Sequence, residues 1–211
     1  MRTVIVTPTY DGKVHGRTQL ASLQIFQDLL LAGSPHSFLG VAHGRDHLVT
    51  ARNALLLQAI ENPLIDVVLW MDADCAPLYA EPATLWSWLN LCTGNVAMAG
   101  VKCARRGGGW NVVARVTEEQ PRVQWAPYEV RSVGLGICAW NLRWWRRELA
   151  EFPRVDSAMH FFEWRDGVGE DYRACEWARN HGGVLLVDPA LGSWHDGMTV
   201  EPMVGRIARP S

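Results

Sequence analysis

The stretch DVVLWMDAD, residues 66–74, runs from an apolar segment directly into two aspartates separated by one alanine. Residues 66–71 predict a strand buried on both faces, as the strands of parallel sheets are. If the backbone is still extended after that strand, Asp72 and Asp74 point to the same side. Two neighbouring carboxylates repel each other, and a hard cation such as Mg²⁺ or Mn²⁺ relieves that repulsion while also binding phosphate oxygens and water. The stretch therefore predicts a divalent-metal site at a strand end.

The segments around this stretch alternate between strand-like and helix-like patterns. Strands are predicted over residues 3–7, 37–42, 66–71 and 96–101, and helices over residues 17–32, 48–60 and 83–91. The apolar stripe of the first helix is Leu20, Leu23, Phe26 and Leu30. This alternation predicts a mostly parallel, doubly wound α/β sheet, whose ligands bind at the carboxyl ends of the strands. An Asp-x-Asp triplet at such an end carries more weight than one that occurs by chance in a loop.

The pattern changes after about residue 101. Residues 105–109 form a basic, glycine-rich loop, and residues 111–133 hold short segments broken by prolines, which predicts antiparallel strands or a hairpin. Helices are predicted over residues 141–151 and 170–180, followed by a strand over 184–187 and a tail without clear periodicity. We therefore expect one domain over residues 1–211, with a first half at 1–101 and a small antiparallel and helical second half at 102–211.

The composition is that of a folded, soluble protein, with 48% hydrophobic and 20% charged residues among 211. The formal net charge of −2 does not favour nucleic acid as a partner. Five widely spaced cysteines without a C-x-x-C pair indicate reduced thiols and a cytoplasmic setting. The first ten residues do not resemble a signal peptide, and no apolar run is long enough to cross a bilayer. The eleven tryptophans suit core packing or sugar stacking.

Three stretches, taken in order, carry a resemblance to a known family: VIVTPTYDG at residues 4–12, ARN at residues 51–53 and VVLWMDAD at residues 67–74. Together they resemble the nucleotide-sugar half of GT-A-fold glycosyltransferases, and are most similar to family 2-like enzymes and their short phage-encoded relatives. The resemblance extends to about His195. It implies a Rossmann-like GT-A fold, a UDP- or GDP-type nucleotide-diphosphate sugar as the donor, and Mn²⁺ or Mg²⁺ as the cofactor.

The resemblance also assigns residues to the donor. In such enzymes the loop after the first strand holds the nucleoside, so the candidates for base and ribose contacts are Pro8, Thr9, Tyr10 and Asp11. Arg52 would lie near the nucleotide, and Asp46 is a weaker candidate for the same place. The alternatives are that Arg52 is a surface charge and that Asp46 only caps a helix.

The metal-binding and catalytic residues implied by the resemblance come from both halves of the chain. Asp74 would contact the cation directly, while Asp72 would reach the cation, a metal-bound water or the ribose. His195 matches a place where many GT-A enzymes supply a further ligand, and neutral imidazole suits Mn²⁺ better than Mg²⁺. In the Gly-Glu-Asp motif, Asp171 would be the general base of an inverting transfer, and Glu170 would bind the acceptor or hold a neighbouring group in place. The alternative is that both acids only complement a helix dipole.

A glycine-rich segment at residues 134–139 satisfies the relaxed dinucleotide fingerprint, but it follows a hairpin-like region rather than the first strand of a βαβ unit. In GT-A enzymes a residue at the place of Gly136 would instead let the backbone approach the donor sugar. We therefore expect a metal-dependent glycosyltransferase of the hexosyltransferase type. The alternatives are a non-catalytic nucleotide-sugar-binding module and an NAD-dependent oxidoreductase. The acceptor, whether a glycan, lipid, protein or modified DNA base, and the oligomeric state stay open.

Overall fold

The computed structural model of the chain describes residues 1–9, 11–31, 37–45, 48–102, 126–150, 162 and 170–200; for residues 37–45, 170 and 200 it describes the backbone alone. Within these ranges the helices are α1 (Gly16–Leu31), α2 (Leu48–Glu61), α3 (Pro82–Asn90), α4 (Leu142–Ala150) and α5 (Glu170–Asn180). The strands are β1 (Arg2–Thr9), β2 (Ser37–Arg45), β3 (Val67–Met71), β4 (Cys75–Leu78), β5 (Val96–Gly100), β6 (Tyr128–Glu129), β7 (Ile137–Asn141), β8 (Val184–Val187), β9 (Gly192–His195) and β10 (Met198–Val200). The helices and strands predicted for the first half are present, with ends that shift by a few residues.

A seven-stranded sheet lies at the centre of the described part of the chain, in the order β2-β1-β3-β7-β5-β8-β6. Strands β1, β2 and β3 pair in parallel, as do β5 and β8. Strand β7 runs antiparallel to both of its neighbours, and β6 runs antiparallel to β8. The sheet is thus mostly parallel, as predicted. The antiparallel β7, which was not predicted, lies between β3 and β5 with all of its residues buried.

Helices pack on both faces of this sheet, and an apolar cluster fills the space on each side. Helices α2, α4 and α5 contribute to one cluster, and α1 and α3 contribute to the other. Strand β3 serves both because its side chains alternate, with Trp70 in the first cluster and Leu69 in the second. The rings of Trp140 and Trp145 stack with centroids 4.5 Å apart in the first cluster. These tryptophans are core residues, which is one of the two uses predicted for them.

The buried face of α1 is not the predicted one. Three leucines of the predicted stripe are exposed: Leu20 by 67%, Leu23 by 63% and Leu30 by 58%. Instead, Ile25 and Leu29 pack in the second cluster. Asp28 is also buried on this face, and it is tolerated there because its carboxylate accepts hydrogen bonds from Tyr79 Oη at 2.7 Å and from Gln24 Nε2 at 2.8 Å. Polar residues therefore occupy part of the buried face of α1, which the apolar pattern does not predict.

Asp66 ties together the amino ends of β1 and β3. Its Oδ2 accepts the backbone N–H of Arg2 at 2.7 Å, and its Oδ1 accepts Nε–H of Arg143 at 2.9 Å. Burial by itself raises the pKa of this carboxyl, but the hydrogen bonds and charges of Arg143 and Arg2 together hold it below its ordinary value. The sheet is therefore fastened by an ionised carboxylate at the end of β3 opposite to the Asp-x-Asp triplet.

A second sheet of three antiparallel strands, in the order β10-β9-β4, lies beside the first. It was not predicted, because residues 192–200 were expected to form a tail. In its register Cys75 lies opposite His195. The predicted loop at 105–109 and most of the predicted hairpin at 111–133 lie outside the described residues. Among the helices that the structure does describe, none combines the length and apolar character that crossing a membrane requires.

Candidate active site

The Asp72-Ala73-Asp74 triplet forms a tight turn between β3 and β4. The Asp72 carbonyl oxygen accepts the N–H of Cys75 at 3.0 Å, so the backbone is not extended there, contrary to expectation. Three further segments are hydrogen-bonded to this turn. The N–H of His15 donates to the Ala73 carbonyl at 2.8 Å, the N–H of Asp72 donates to the Gly136 carbonyl at 2.9 Å, and the N–H of Asp196 donates to the Asp74 carbonyl at 3.0 Å. The loop after β1, the turn before β7 and the end of β9 therefore meet at the triplet.

The first aspartate of the triplet is held by a buried arginine from α2. Arg52 Nη2 lies 2.7 Å from Asp72 Oδ1, and the side chains of the two residues are 3% and 26% exposed. The alternative that Arg52 is a surface charge is therefore wrong. Its neighbour Asn53 fixes this part of α2 by exchanging two hydrogen bonds with the backbone of Phe162, at 2.9 and 3.1 Å. The guanidinium of Arg52, held rigidly beside Asp72, fixes the orientation of that carboxylate.

The second aspartate of the triplet faces a different partner. Asp74 Oδ2 lies 3.4 Å from His195 Nε2, and Asp74 Oδ1 lies 3.8 Å from the Sγ of Cys75. One ligand atom from each of these three residues lies within 4.8 Å of the other two. A carboxylate, an imidazole and a thiol at these separations fit a divalent cation. The two aspartates that the sequence placed together thus differ in their surroundings.

A cavity of about 650 Å³ opens above the triplet at the carboxyl ends of β1 and β3, within the size range of small-molecule sites. The described residues that line it include Pro8, Thr9, Asp11, Lys13, His15, Leu48, Asp72, Asp74 and His195. Its loop wall turns at Gly12, whose φ is +80°, and whose N–H donates to Thr9 Oγ1 at 3.1 Å. Hydrogen bonds from the backbone and side chain of Lys13 lower the pKa of Asp11. The cavity is therefore polar on the side of this loop.

Comparison of the sequence with protein-family models and with curated proteins finds no match. Solved structures, however, resemble the fold. The crystal structure of A197 from STIV matches with a TM-score of 0.57 and 17% identity, over 100% of this chain and 98% of that one. The crystal structure of GalNAc-T7 with UDP, GalNAc and Mn²⁺ matches with a TM-score of 0.51 and 14% identity. That match covers 95% of this chain and 45% of GalNAc-T7, so the chain spans less than half of that protein. The chain has a GT-A fold.

In this GT-A fold, Trp194 contacts two residues from the loop and helix that follow β1. Its ring centroid is 4.7 Å from that of His15, and Arg17 Cζ lies 5.1 Å from it on the ring face. The guanidinium is therefore placed for a cation–π contact. Neither His15 nor Trp194 was singled out from the sequence. The signal for Trp194 was its place directly before His195, which becomes informative only when β9 is known to be a strand.

The other residues that the sequence predicted for the site do not line the cavity or are not described. Gly136 contributes its carbonyl to the triplet, and residues 134–139 lead into strand β7 rather than into a helix, so they lack the strand-to-helix arrangement of a dinucleotide site. Asp171 lies in the first turn of α5, where its Oδ1 accepts the N–H of Tyr172 at 3.0 Å. The described residues that line the cavity include neither Gly136 nor Asp171. Tyr10, Asp46 and the side chain of Glu170 lie outside the described residues.

Proposed function

We propose that the chain is a metal-dependent glycosyltransferase of the hexosyltransferase type. It would transfer a sugar from a UDP- or GDP-type nucleotide-diphosphate sugar to an acceptor hydroxyl. The observation that carries the proposal is the placement of Asp74 and His195, 3.4 Å apart, in the cavity at the carboxyl ends of β1 and β3. In open α/β sheets that edge is where ligands bind. The presence of UDP, GalNAc and Mn²⁺ in the GalNAc-T7 structure supports the same assignment.

The donor would be bound by residues of the first half of the chain. Pro8, Thr9, Tyr10 and Asp11 would contact the nucleoside, with Gly136 close to the donor sugar. Asp74 and His195 would hold Mn²⁺ or Mg²⁺, which as a Lewis acid neutralises the charge that develops on the leaving diphosphate. Arg52 orients Asp72, because its guanidinium lies 2.7 Å from that carboxylate. Asp72 is thereby positioned to accept from the ribose or from a metal-bound water.

The acceptor would be activated from the second half of the chain. Asp171 would take the proton of the attacking hydroxyl, and Glu170 would bind the acceptor, which makes the transfer inverting. Both residues belong to the first turn of α5. We propose a single domain in which residues 1–101 hold the donor and residues 102–211 the acceptor. A glycan, a lipid, a protein or a modified DNA base could supply the hydroxyl.

A panel of nucleotides tests this function directly. UDP-, GDP- and TDP-sugars and NAD are added to the protein with and without Mn²⁺, and the melting temperature is recorded. We expect a UDP- or GDP-sugar to stabilise the protein only when Mn²⁺ is present, since Asp74 and His195 would hold the cation and the cation would supply positive charge for the diphosphate. Stabilisation by NAD alone would instead support the oxidoreductase.

Turnover separates an enzyme from an inert binding module. We expect slow donor hydrolysis by the wild-type protein and its loss in Asp74→Ala. Asp171→Asn should lower sugar transfer by about a hundredfold or more, the scale of a general base, without changing donor binding. Glu176→Gln removes an exposed carboxylate from the same helix and serves as the matched control. Donor binding without hydrolysis or transfer in the wild type would favour the module, and full transfer by Asp171→Asn would contradict the assignment of the base.

A further inference from the structure

The thiol of Cys75 lies beside Asp74 and His195, and the sequence did not single it out. We propose that Cys75 is a third protein ligand of the cation bound by Asp74 and His195. The site would then take a thiophilic divalent cation of the Zn²⁺ and Co²⁺ class more tightly than Mn²⁺ or Mg²⁺. The inference rests on the metal site of the proposed function and adds to it both a ligand and a preference among metals.

The second sheet places the three residues together. Cys75 begins β4 and pairs with His195 of β9 in an antiparallel register. Residues directly opposite each other in such a pair project their side chains to the same face, with Cβ atoms about 4.5–5.5 Å apart. Asp74 precedes Cys75 and is joined to the end of β9 by the hydrogen bond from the N–H of Asp196. The backbone of two strands and one turn therefore sets the positions of the three side chains.

Two of the separations lie in the range of a tetrahedral site, and all of the ligand atoms lie within 4.8 Å of one another. Bonds from zinc to sulfur, nitrogen and oxygen measure about 2.0–2.3 Å, which puts neighbouring ligand atoms about 3.3–3.8 Å apart in a tetrahedron. His195 Nε2 lies 3.4 Å from one Asp74 oxygen, and Cys75 Sγ lies 3.8 Å from the other. Three protein ligands leave a fourth position, as catalytic zinc sites do. That position would fall to water or to an oxygen of the donor diphosphate, because Asp74 and His195 line the cavity.

The chemical types of the three ligands decide which metal ion the site prefers. Mg²⁺ and Mn²⁺ favour oxygen ligands, whereas thiolate and imidazole favour Zn²⁺ and its neighbours. Cys75 is 1% exposed and borders the apolar cluster beneath α1 and α3, so a bare thiolate would be costly there. When the cation binds, the S–H bond breaks, the sulfur–metal bond forms and the proton passes to water. The alternative is that Cys75 is a core residue whose thiol donates only a weak hydrogen bond to Asp74.

Cobalt absorption distinguishes these two cases without an activity assay. Co²⁺ is titrated into the full chain, and the near-ultraviolet band of thiolate-to-cobalt charge transfer is recorded. We expect a band that saturates at one equivalent and disappears in Cys75→Ser and Cys75→Ala. It should survive in Cys92→Ser, which changes another buried cysteine, and in Cys103→Ser. Competition should show that Cys75→Ser lowers Zn²⁺ affinity by about tenfold or more and Mn²⁺ affinity much less.

Calorimetry of the same titration distinguishes failure of this inference from failure of the proposed metal site. Stoichiometric binding of Co²⁺ without the band would overturn the role of Cys75 and leave the metal site of the proposed function intact. No binding of any of these cations, alone or with UDP, would overturn both. A band that persists in Cys75→Ser would also overturn the inference. Cadmium NMR of the wild-type protein, in which a thiolate ligand shifts the signal strongly downfield, gives the same answer if both Cys75 variants fail to fold.

Discussion

Arg52 Nη2 lies 2.7 Å from Asp72 Oδ1, and the arginine side chain is only 3% exposed. The first aspartate of the triplet is thus neutralised by the protein itself, whereas the second faces His195. The two carboxylates therefore need not share one cation in order to lie close together. This division gives the two residues separate roles, and it can be tested through stability and through metal binding.

Arg52→Met keeps much of the side-chain volume and removes the charge. We expect the free energy of unfolding, measured by urea denaturation, to fall by about 2–4 kcal/mol, because Asp72 loses a buried partner. The double variant with Asp72→Asn should recover about 1–2 kcal/mol of that loss. Arg147→Met, which removes an exposed ion pair with Glu148, should cost less than about 0.5 kcal/mol. Equal losses for Arg52→Met and Arg147→Met would contradict the coupling.

Asp74→Asn should abolish the rise in melting temperature that a divalent cation produces in the wild-type protein. A cation at about a hundred times its Kd contributes about 2.7 kcal/mol of stability when it binds the folded state alone. Asp196→Asn is the matched control, because Asp196 is exposed and has a φ of 46°, a conformation that asparagine tolerates. Its response to the cation should be that of the wild type. A cation effect that survives in Asp74→Asn would show that the ion binds elsewhere.

Asp66 predicts a pH dependence of stability. Burial raises the pKa of its carboxyl, but Arg143 and Arg2 together lower this pKa by more than burial raises it. The net pKa is therefore below the ordinary value of 3.8. Its stabilising contribution is therefore present above the ordinary value and is lost as the pH falls through the lower, folded-state pKa. Asp66→Asn should cost about 2 kcal/mol at neutral pH, and the two proteins should converge in acid. A stability difference between the wild type and Asp66→Asn that stays constant across the same pH range would refute the prediction.

Gly183 lies where the backbone meets α5 and the tryptophan core. A Cβ there would come within 2.7 Å of Trp144 Cζ2, 2.8 Å of the Ala178 carbonyl oxygen and 2.9 Å of Ala97 Cβ. We expect Gly183→Ala to lower the free energy of unfolding by about 1–3 kcal/mol, through overpacking. A Cβ on Gly16, the first residue of α1, would meet nothing within 4 Å, so Gly16→Ala should be neutral or slightly stabilising. Comparable effects at the two glycines would rule out the packing explanation.

The elements of the first half could be predicted because their signals are local. The apolar runs of β1 and β3 and the periodicity of α2 and α3 depend on residues only a few positions apart. Strands β4, β7 and β9 are short, and they become strands through partners far away in the chain. Their sequences carry no alternation strong enough to predict that pairing. The register of the second sheet, which brings Cys75 opposite His195, was hidden for the same reason.

The residues of the candidate site could be selected from the sequence, but the pairs that they form could not. Asp72, Asp74, Arg52 and His195 were all selected from the sequence, on spacing and on family resemblance. That Arg52 pairs with Asp72 and His195 with Asp74 depends on the turn after β3, which was expected to be extended. Cys75 escaped notice because a single cysteine after an aspartate has no distinctive spacing. Its position opposite His195 exists only when β4 and β9 are paired.

The three-stranded sheet has a consequence for how the chain folds during its synthesis. On the ribosome, residues of the first half emerge long before β9, so a nascent chain already carries the aspartate triplet while its histidine partner is still unmade. Because non-local pairings form slowly, we expect the pairing of β4 with β9 to be a late step of folding. The proposed cation would be held by residues of both strands, so it would stabilise only a chain in which β4 and β9 are already paired. Metal binding and this late strand pairing would thus be coupled.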